Sequence, residues 1–176
     1  MKKYTDEYLH EHDIDWFCTI NGKPIHAASN GGTLPLIIKN NKSINEENQF
    51  TAYNRPYNKA LRISVNNKYL NMLFKKDDNT TDLDIQIRKT KYLRTFVDMA
   101  RRGFYSFDRR YYDKYRSNLY IPIAWPIFDD KYTEDEVNNK PNNGFIGEKF
   151  TLKDFDPIHN DLNSLKTYNF SLLGKK

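Results

Sequence analysis

Three side chains, His26, His159 and Asp156, have the types that acid–base catalysis uses. His26 lies inside a predicted strand, and His159 is flanked by Asp156 and Asp161. A carboxylate beside an imidazole can orient the ring as a general base. One interpretation is therefore an enzyme, a nucleic-acid-acting hydrolase, in which the fold brings these three side chains into one pocket. The alternative is that each histidine is a hydrogen-bonded structural residue.

Other motifs with the residue types for chemistry are incomplete. Residues 29–33, Ser-Asn-Gly-Gly-Thr, can form a loop whose N–H groups surround a phosphate, but the Gly-Lys-Ser/Thr of a P-loop is missing. His10 and His12 have no third ligand at a fixed spacing, so an exposed helical turn is favoured over a metal site. No metal or cofactor is predicted. Three aspartate pairs, each without a separated partner, indicate neither a metal nor an acid–base site: Asp13/Asp15, Asp82/Asp84 and Asp154/Asp156.

The most distinctive stretch is residues 101–116, where arginines alternate with aromatic residues. Residues 94–116 carry seven Lys and Arg against three Asp, which is four of the chain's five net positive charges. Arg and Tyr are enriched at protein interfaces, and the same pair also suits phosphate contacts and base stacking. We predict a protein interface, with non-specific DNA binding and a solvated face as the alternatives. The predicted contact residues are Arg101, Arg102, Arg109, Arg110, Tyr111, Tyr112, Lys114 and Arg116.

Composition bounds the class of protein. The length of 176 residues predicts a single domain over 1–176, and an aromatic content of 15% argues against a disordered chain. The sole cysteine, Cys18, excludes an intramolecular disulfide, and no apolar run is long enough to span a membrane. The N-terminal residues lack the apolar stretch of a signal peptide. We therefore expect a protein made in a reducing compartment and not bound to a membrane.

Hairpin signals dominate the N-terminal half of the chain. Apolar residues alternate along 14–20, with Ile14, Trp16, Cys18 and Ile20 on one face, and Asn21-Gly22 then predicts a tight turn into a second strand at 25–29. A second hairpin is predicted from strands at 61–65 and 69–74. Residues 39–59 and 129–143 are polar and are predicted to be loops.

One helix is predicted, over residues 84–102. Leu93, Phe96, Val97 and Ala100 form its apolar stripe, a cap is available among residues 80–82, and Gly103 suits a left-handed stop. Strands are predicted at 119–126, where Pro122 requires an edge or a bulge, and at 145–155 and 165–173. The predicted fold class is α+β, a mostly antiparallel sheet built from hairpins with one main helix packed on it.

Three segments, 13–17, 21–32 and 100–109, resemble uncharacterised proteins of gut Bacteroidales and their crAss-like bacteriophages. The resemblance covers about a third of the chain and carries no activity, but it implies a phage-type genome, in which small domains are often virion parts. We therefore predict an oligomeric structural or interaction protein of a bacteriophage virion, made in the host cytoplasm. A neck, tail-adaptor or capsid-associated subunit that binds neighbouring subunits is expected.

Overall fold

A mixed β-sheet supports the helices of this protein. The computed structural model describes residues 2–58, 61–109, 119–128, 149–155 and 165–174. The strands are β1 (Asp15–Ile20), β2 (Lys23–Ala28), β3 (Arg62–Val65), β4 (Tyr105–Arg109), β5 (Leu119–Ile127), β6 (Lys149–Phe150) and β7 (Tyr168–Asn169). The helices are α1 (Asp6–Glu11), α2 (Leu36–Lys39), α3 (Lys42–Asn54), α4 (Asn67–Leu73) and α5 (Asp82–Arg101), and a 3₁₀ turn follows at Phe170–Leu172.

The strand order is β3-β5-β4-β2-β1-β6, and β7 pairs with β5. The α+β class is confirmed, but the sheet is mixed, because β2 pairs with β4 and β1 with β6 in parallel. The chain between β2 and β4 passes through α5, and such a crossover returns a strand in the parallel direction. Hairpin signals alone do not reveal this pairing. The described residues also form more helices than the single one predicted.

The first hairpin is confirmed. Strands β1 and β2 pair from Asp15↔Ala28 to Ile20↔Lys23, and both turn residues, Asn21 and Gly22, have positive φ angles of 48° and 81°. This backbone matches the twist of the two strands. The Asn21 side chain also fixes the C-terminal segment, since its amide donates to the carbonyl oxygen of Leu152.

Side-chain alternation gives the sheet two different faces. One face is apolar, and Trp16, Cys18 and Ile20 lie fully buried in it, as predicted. Helices α1 and α2 and the C-terminal segment cover this face. Helices α3, α4 and α5 pack on the opposite face, which carries His26 and Asp108. Polar strand residues therefore lie beneath helices instead of in solvent.

Helix α5 is confirmed, with small differences at its ends. Thr81 caps it in a reciprocal pair with Asp84, and Gly103 follows at a φ of 92°. Phe96 and Ala100 are buried as predicted, and so is Met99, which the prediction missed. The inner face turns slightly from the predicted one, so Leu93 and Val97 are only half-buried.

The second predicted hairpin is wrong, because α4 follows β3. Asn66 caps this helix, accepting the N–H of Tyr69 at 3.0 Å instead of forming a turn. The same side chain donates to the carbonyl oxygen of Pro122 at 3.0 Å, and the Asn66 N–H donates to that of Ile123 at 2.9 Å. These carbonyls lie at a bulge of β5, where the register shifts opposite Ser106 and Phe107. The bulge required by Pro122 is therefore present.

The polar segment 39–59 also differs from its prediction, because residues 42–54 form α3. This helix buries Asn45, Asn48 and Ala52 instead of large apolar residues, so its sequence has no clear apolar period. Asn45 bonds the edge of β1, donating to the carbonyl oxygen of Asp15 at 3.1 Å and accepting the N–H of Phe17 at 3.3 Å. A polar side chain of α3 thus supplies the hydrogen-bond partners for backbone groups at the edge of β1.

The C-terminal strands are shorter than predicted where they are described, and the predicted loop at 129–143 lies outside the described residues. Strands β6 and β7 have two residues each. None of the described helices is long and apolar enough to cross a membrane.

Asn66→Ala tests the joint between α4 and the β5 bulge. The substitution leaves the Pro122 carbonyl and the Tyr69 N–H without their side-chain partner, so we expect the free energy of unfolding to fall by about 2–4 kcal/mol. Urea denaturation measures the change. The neighbouring exposed residue is the matched control, and Asn67→Ala is expected to cost less than about 0.5 kcal/mol. Equal stability of the two variants would contradict the assignment.

Candidate acid–base site

A cleft of about 630 Å³ lies between the sheet and helices α4 and α5. Its apolar wall includes Phe74 from the end of α4 and Phe96 from α5. Its polar lining contains three aspartates, Asp13, Asp15 and Asp108, against one guanidinium, that of Arg88. The cleft is therefore acidic on one side and aromatic on the other.

Strand register places two of these aspartates in one row. Asp15 of β1 pairs with Ala28 of β2, and Ala28 pairs with Asp108 of β4. Paired residues point to the same face, and neighbouring strands are about 4.8 Å apart, so the two aspartate Cα atoms are separated by about 10 Å. The small side chain of Ala28 leaves the space between the two carboxyl groups open.

Asp15 is held in its ionised form. The His26 Nε2 lies 3.2 Å from its Oδ1, and the Tyr53 hydroxyl donates a hydrogen bond to its Oδ2. Burial alone would raise the pKa of Asp15, but the charge and contact of His26 and the Tyr53 hydrogen bond lower it below the usual value. The carboxylate is therefore available as a base at neutral pH.

His26 acts on this site from behind. The side chain is fully buried, with Nδ1 3.2 Å from the Ser106 Oγ, and its ring packs beside Phe17 and Phe96. Its Nε2 faces Asp15 without a hydrogen bond of good geometry. His26 therefore supports Asp15 by close contact and not by a directed hydrogen bond. The other two residues of the predicted catalytic set, His159 and Asp156, lie outside the described residues.

Asp108 has the opposite protonation behaviour. Burial and the charge of Asp13 raise its pKa to about 7, although a hydrogen bond from the Tyr92 hydroxyl at 2.6 Å and the charge of Arg109 act against the shift. A carboxyl group with this pKa is partly protonated at neutral pH. It can donate a proton, which an ordinary aspartate cannot do at that pH.

Asp13 joins the cleft to the turn after β2. Its Oδ1 accepts the Asn30 N–H at 2.6 Å and the Ser29 hydroxyl at 3.3 Å, and burial together with the charge of Asp15 raises its pKa. The Gly32 N–H donates to the carbonyl oxygen of Ser29. The Ser29 N–H donates to the carbonyl oxygen of Ile14, so three N–H groups of the candidate phosphate loop are used inside the protein.

Two carboxyl groups with pKa values shifted apart in one cleft are the usual arrangement of an acid–base pair. Neither Asp13 nor Asp15 was predicted to be a site residue, because each lacks a separated partner in the sequence, and Asp108 and Tyr92 were not predicted either. One signal was present in the sequence: Asp15, His26 and Asp108 are polar residues inside strands whose alternate positions are apolar.

The described part of the basic segment divides into an exposed and an internal set. Arg101 ends α5 and is exposed. Arg102 is half-buried, contacts Asp98 at 3.2 Å, bonds the carbonyl oxygen of Arg55, and lies 4.4 Å from the ring centre of Tyr57. Arg102 is therefore already engaged within the protein. The rest of the predicted contact surface, Arg110, Tyr111, Tyr112, Lys114 and Arg116, lies outside the described residues.

Arg109, another of the predicted contact residues, is the last residue of β4. Its guanidinium packs on the backbone of Gly32, where a Cβ atom would overlap it. Glycine at this position therefore allows the arginine to cross the turn beside the cleft.

Known proteins offer no guide to the function of this cleft, so its geometry is the basis for assigning one. The chain matches no family model, no curated protein and no solved structure. Within the described parts of the chain, no three His, Cys, Asp or Glu side chains are arranged to hold a metal ion.

Asp108→Asn tests the raised pKa of Asp108. Because the pKa in the folded state exceeds the unfolded value, the folded protein binds the proton more tightly, and stability falls as pH rises from about 4 to about 7. The shift corresponds to about 4 kcal/mol. We expect urea denaturation to show this fall in the wild type and a much flatter profile in Asp108→Asn. Asp78→Asn, at an exposed position, is the control and should keep the wild-type profile. Parallel profiles for all three proteins would contradict the shift.

Proposed function

We propose that this cleft is the active site of a hydrolase that acts on a neutral, polar substrate. The observation that supports the proposal is the pair Asp15 and Asp108, which flank Ala28 in one row of the sheet and have pKa values shifted in opposite directions. The proposal replaces the sequence-based catalytic set with a different pair of side chains and retains His26 behind them.

The two carboxyl groups have separate roles in this reaction. Protonated Asp108 donates its proton to the leaving group as the bond to that group breaks. Asp15 accepts a proton from the attacking water, whose hydroxyl forms the new bond to the substrate. The reaction adds one water across the bond, and both carboxyl groups return to their starting states by exchanging a proton with solvent. Tyr92 holds the acid, and His26 and Tyr53 hold the base.

The charges in the cleft favour a neutral substrate. The cleft offers a phosphodiester only the guanidinium of Arg88 and faces it with the ionised carboxylate of Asp15, so the nucleic-acid substrate suggested from the sequence is not favoured for this cleft. Aromatic walls beside a few polar groups suit a ligand with an apolar face and several hydroxyl groups. Two carboxyl groups on strands separated by one intervening strand, with the small Ala28 between them, suit the wider carboxyl spacing of an inverting glycosidase. Glycosides are therefore the first class to test.

A panel of 4-nitrophenyl glycosides tests the catalytic proposal. We expect the protein to hydrolyse at least one member, with Asp15→Asn and Asp108→Asn each lowering kcat/KM by about 100-fold or more. The rate should fall above pH 7, because Asp108 must carry its proton. Asp78→Asn is expected to retain full activity. No hydrolysis across the panel, or equal activity in the two site variants and the control, would overturn the proposal.

A second proposal is that the chain is a subunit of a larger assembly, a bacteriophage virion component that binds its neighbours through the Tyr/Arg-rich segment 101–116. Its support is the exposed Arg101 at the end of α5 and the alternation of arginine with aromatic residues along the segment. Arginine and tyrosine are both enriched at protein interfaces. Binding of DNA by phosphate contacts is the alternative for the same segment.

Paired substitutions distinguish a protein partner of segment 101–116 from DNA. For a protein interface, we expect Tyr111→Ala/Tyr112→Ala to reduce oligomer mass as strongly as Arg110→Ala/Lys114→Ala, with a weak salt dependence in light scattering. For DNA, the basic pair alone should weaken duplex binding, steeply with salt. A monomeric wild type that binds no duplex, or no effect of either pair, would show a solvated face and overturn the proposal.

A further inference from the structure

The outer face of α5 carries a stripe of side chains at regular spacing, all of them exposed except one valine that is half-buried. Leu83 and Ile87 are 69% and 57% exposed, and they are followed along the same stripe by residues 90, 94, 97 and 101. The steps alternate between four and three residues, which is the spacing of a seam in a two-helix coiled coil. We call these six residues the α5 stripe: Leu83, Ile87, Thr90, Arg94, Val97 and Arg101.

In the described parts of the protein, five of the six side chains of the α5 stripe are exposed, and Val97 is half-buried against the core beneath the helix. A groove of about 870 Å³ runs beside it and includes Tyr57 and Lys91 in its walls. The stripe spans 18 residue steps, or about 27 Å of helix at 1.5 Å per residue. A surface of this length fits a second helix of similar length. The opposite side of α5, with Phe96 and Met99, is buried against the sheet side of the protein.

We propose that the α5 stripe binds an amphipathic helix of a partner protein, with apolar residues at one end and acidic residues at the other. The apolar residues pack on Leu83 and Ile87, and the acidic residues face Arg94 and Arg101. The inference does not depend on the acid–base cleft. It gives the assembly proposal a defined surface, and it rests on that proposal only for the existence of a partner.

The basic side chains on and beside the α5 stripe require acidic residues on the partner helix. Arg94 and Arg101 lie on the stripe and Lys91 lies in the adjacent groove. Asp98 of the same groove is already bound, contacting Arg102 at 3.2 Å and accepting a hydrogen bond from the Tyr57 hydroxyl. The C-terminal half of the α5 stripe is therefore positive, and Glu or Asp residues complement it.

A second copy of the chain is a poor partner for the same surface. Parallel pairing of two α5 stripes places Arg94 opposite Arg94, which is repulsive. Antiparallel pairing places Leu83 opposite Arg101, so an exposed apolar side chain faces a charge. A nucleic acid is also disfavoured, because Leu83 and Ile87 make no phosphate contacts. A partner helix with both apolar and acidic residues matches both halves of the stripe.

Synthetic helices of about 21 residues test the proposal on the full-length protein. Two acidic peptides carry Leu in one half of the contact face and Glu in the other half. They differ in whether the Leu half is N-terminal or C-terminal. Two matched basic peptides have Lys in place of Glu. Fluorescence anisotropy is expected to show binding of one acidic peptide at least about tenfold tighter than its Lys counterpart. The affinity of that acidic peptide should fall with added salt.

Substitutions in the protein locate the binding to the stripe. Ile87→Ser and Arg94→Glu are each expected to weaken the acidic peptide by about tenfold or more, and Arg94→Glu should gain affinity for the Lys peptide. Lys75→Glu reverses an exposed charge outside the stripe and is expected to leave binding unchanged. Since these side chains are exposed, circular dichroism melts should match the wild type.

Several results would overturn the proposal. These are no binding of either acidic peptide, equal binding of acidic and basic peptides, or binding that survives both stripe substitutions. Self-association lost in Ile87→Ser would assign the stripe to a second copy. Duplex DNA binding lost in Arg94→Glu but kept in Ile87→Ser would assign it to nucleic acid.

One result would support this inference independently of the interface at 101–116. The Tyr111→Ala/Tyr112→Ala variant would lose its oligomeric state and still bind the acidic peptide.

Discussion

The parallel pairing of β2 with β4 is the contact on which the cleft depends. It places Ala28 opposite Asp108 and His26 opposite Ser106, while the β1–β2 hairpin places Asp15 on the other side of Ala28. A shift of one residue in this register would turn Asp108 towards the apolar core and present Phe107 to the cleft, because side chains alternate along a strand. Helix α5 lies in the crossover from β2 to β4 that allows this parallel pairing. The longest helix and the site therefore depend on the same topology.

The site separates two carboxyl groups by their surroundings and not by their chemistry. Asp15 is surrounded by groups that stabilise its charge, since His26 and the Tyr53 hydroxyl both contact it. Asp108 is more deeply buried and has one hydroxyl partner, Tyr92, so desolvation dominates and raises its pKa. Asp13 lies between these effects, because the charge of Asp15 acts on it and its own charge acts on Asp108. Asp13 is therefore the carboxyl group through which the charges of the site are linked.

Helix α5 links the two proposed surfaces of the protein. Its inner side supplies Tyr92 and Phe96 to the cleft, and its outer side carries Leu83, Ile87 and Arg94. The two sides use different residues of the same helical repeat, apart from Val97, which belongs to the outer stripe and is half-buried against the core. The capping box at Thr81 and the left-handed Gly103 hold both ends of the helix. A single rigid element can therefore serve an acid–base site and a docking surface without conflict.

Local signals in the sequence determined the elements whose structure depends on neighbouring residues. The Asn21-Gly22 turn, the buried face of β1 and the capped α5 were all predictable, because turn conformation, alternation and capping act over a few residues. Helices α3 and α4 were not, since Asn45 and Asn66 form contacts with distant strand backbone that no local pattern encodes. The cleft was decided by tertiary structure alone. Only the pairing of strands far apart in the chain brings the carboxyl groups of Asp15 and Asp108 to one face, and only burial beneath the helices shifts their pKa values apart.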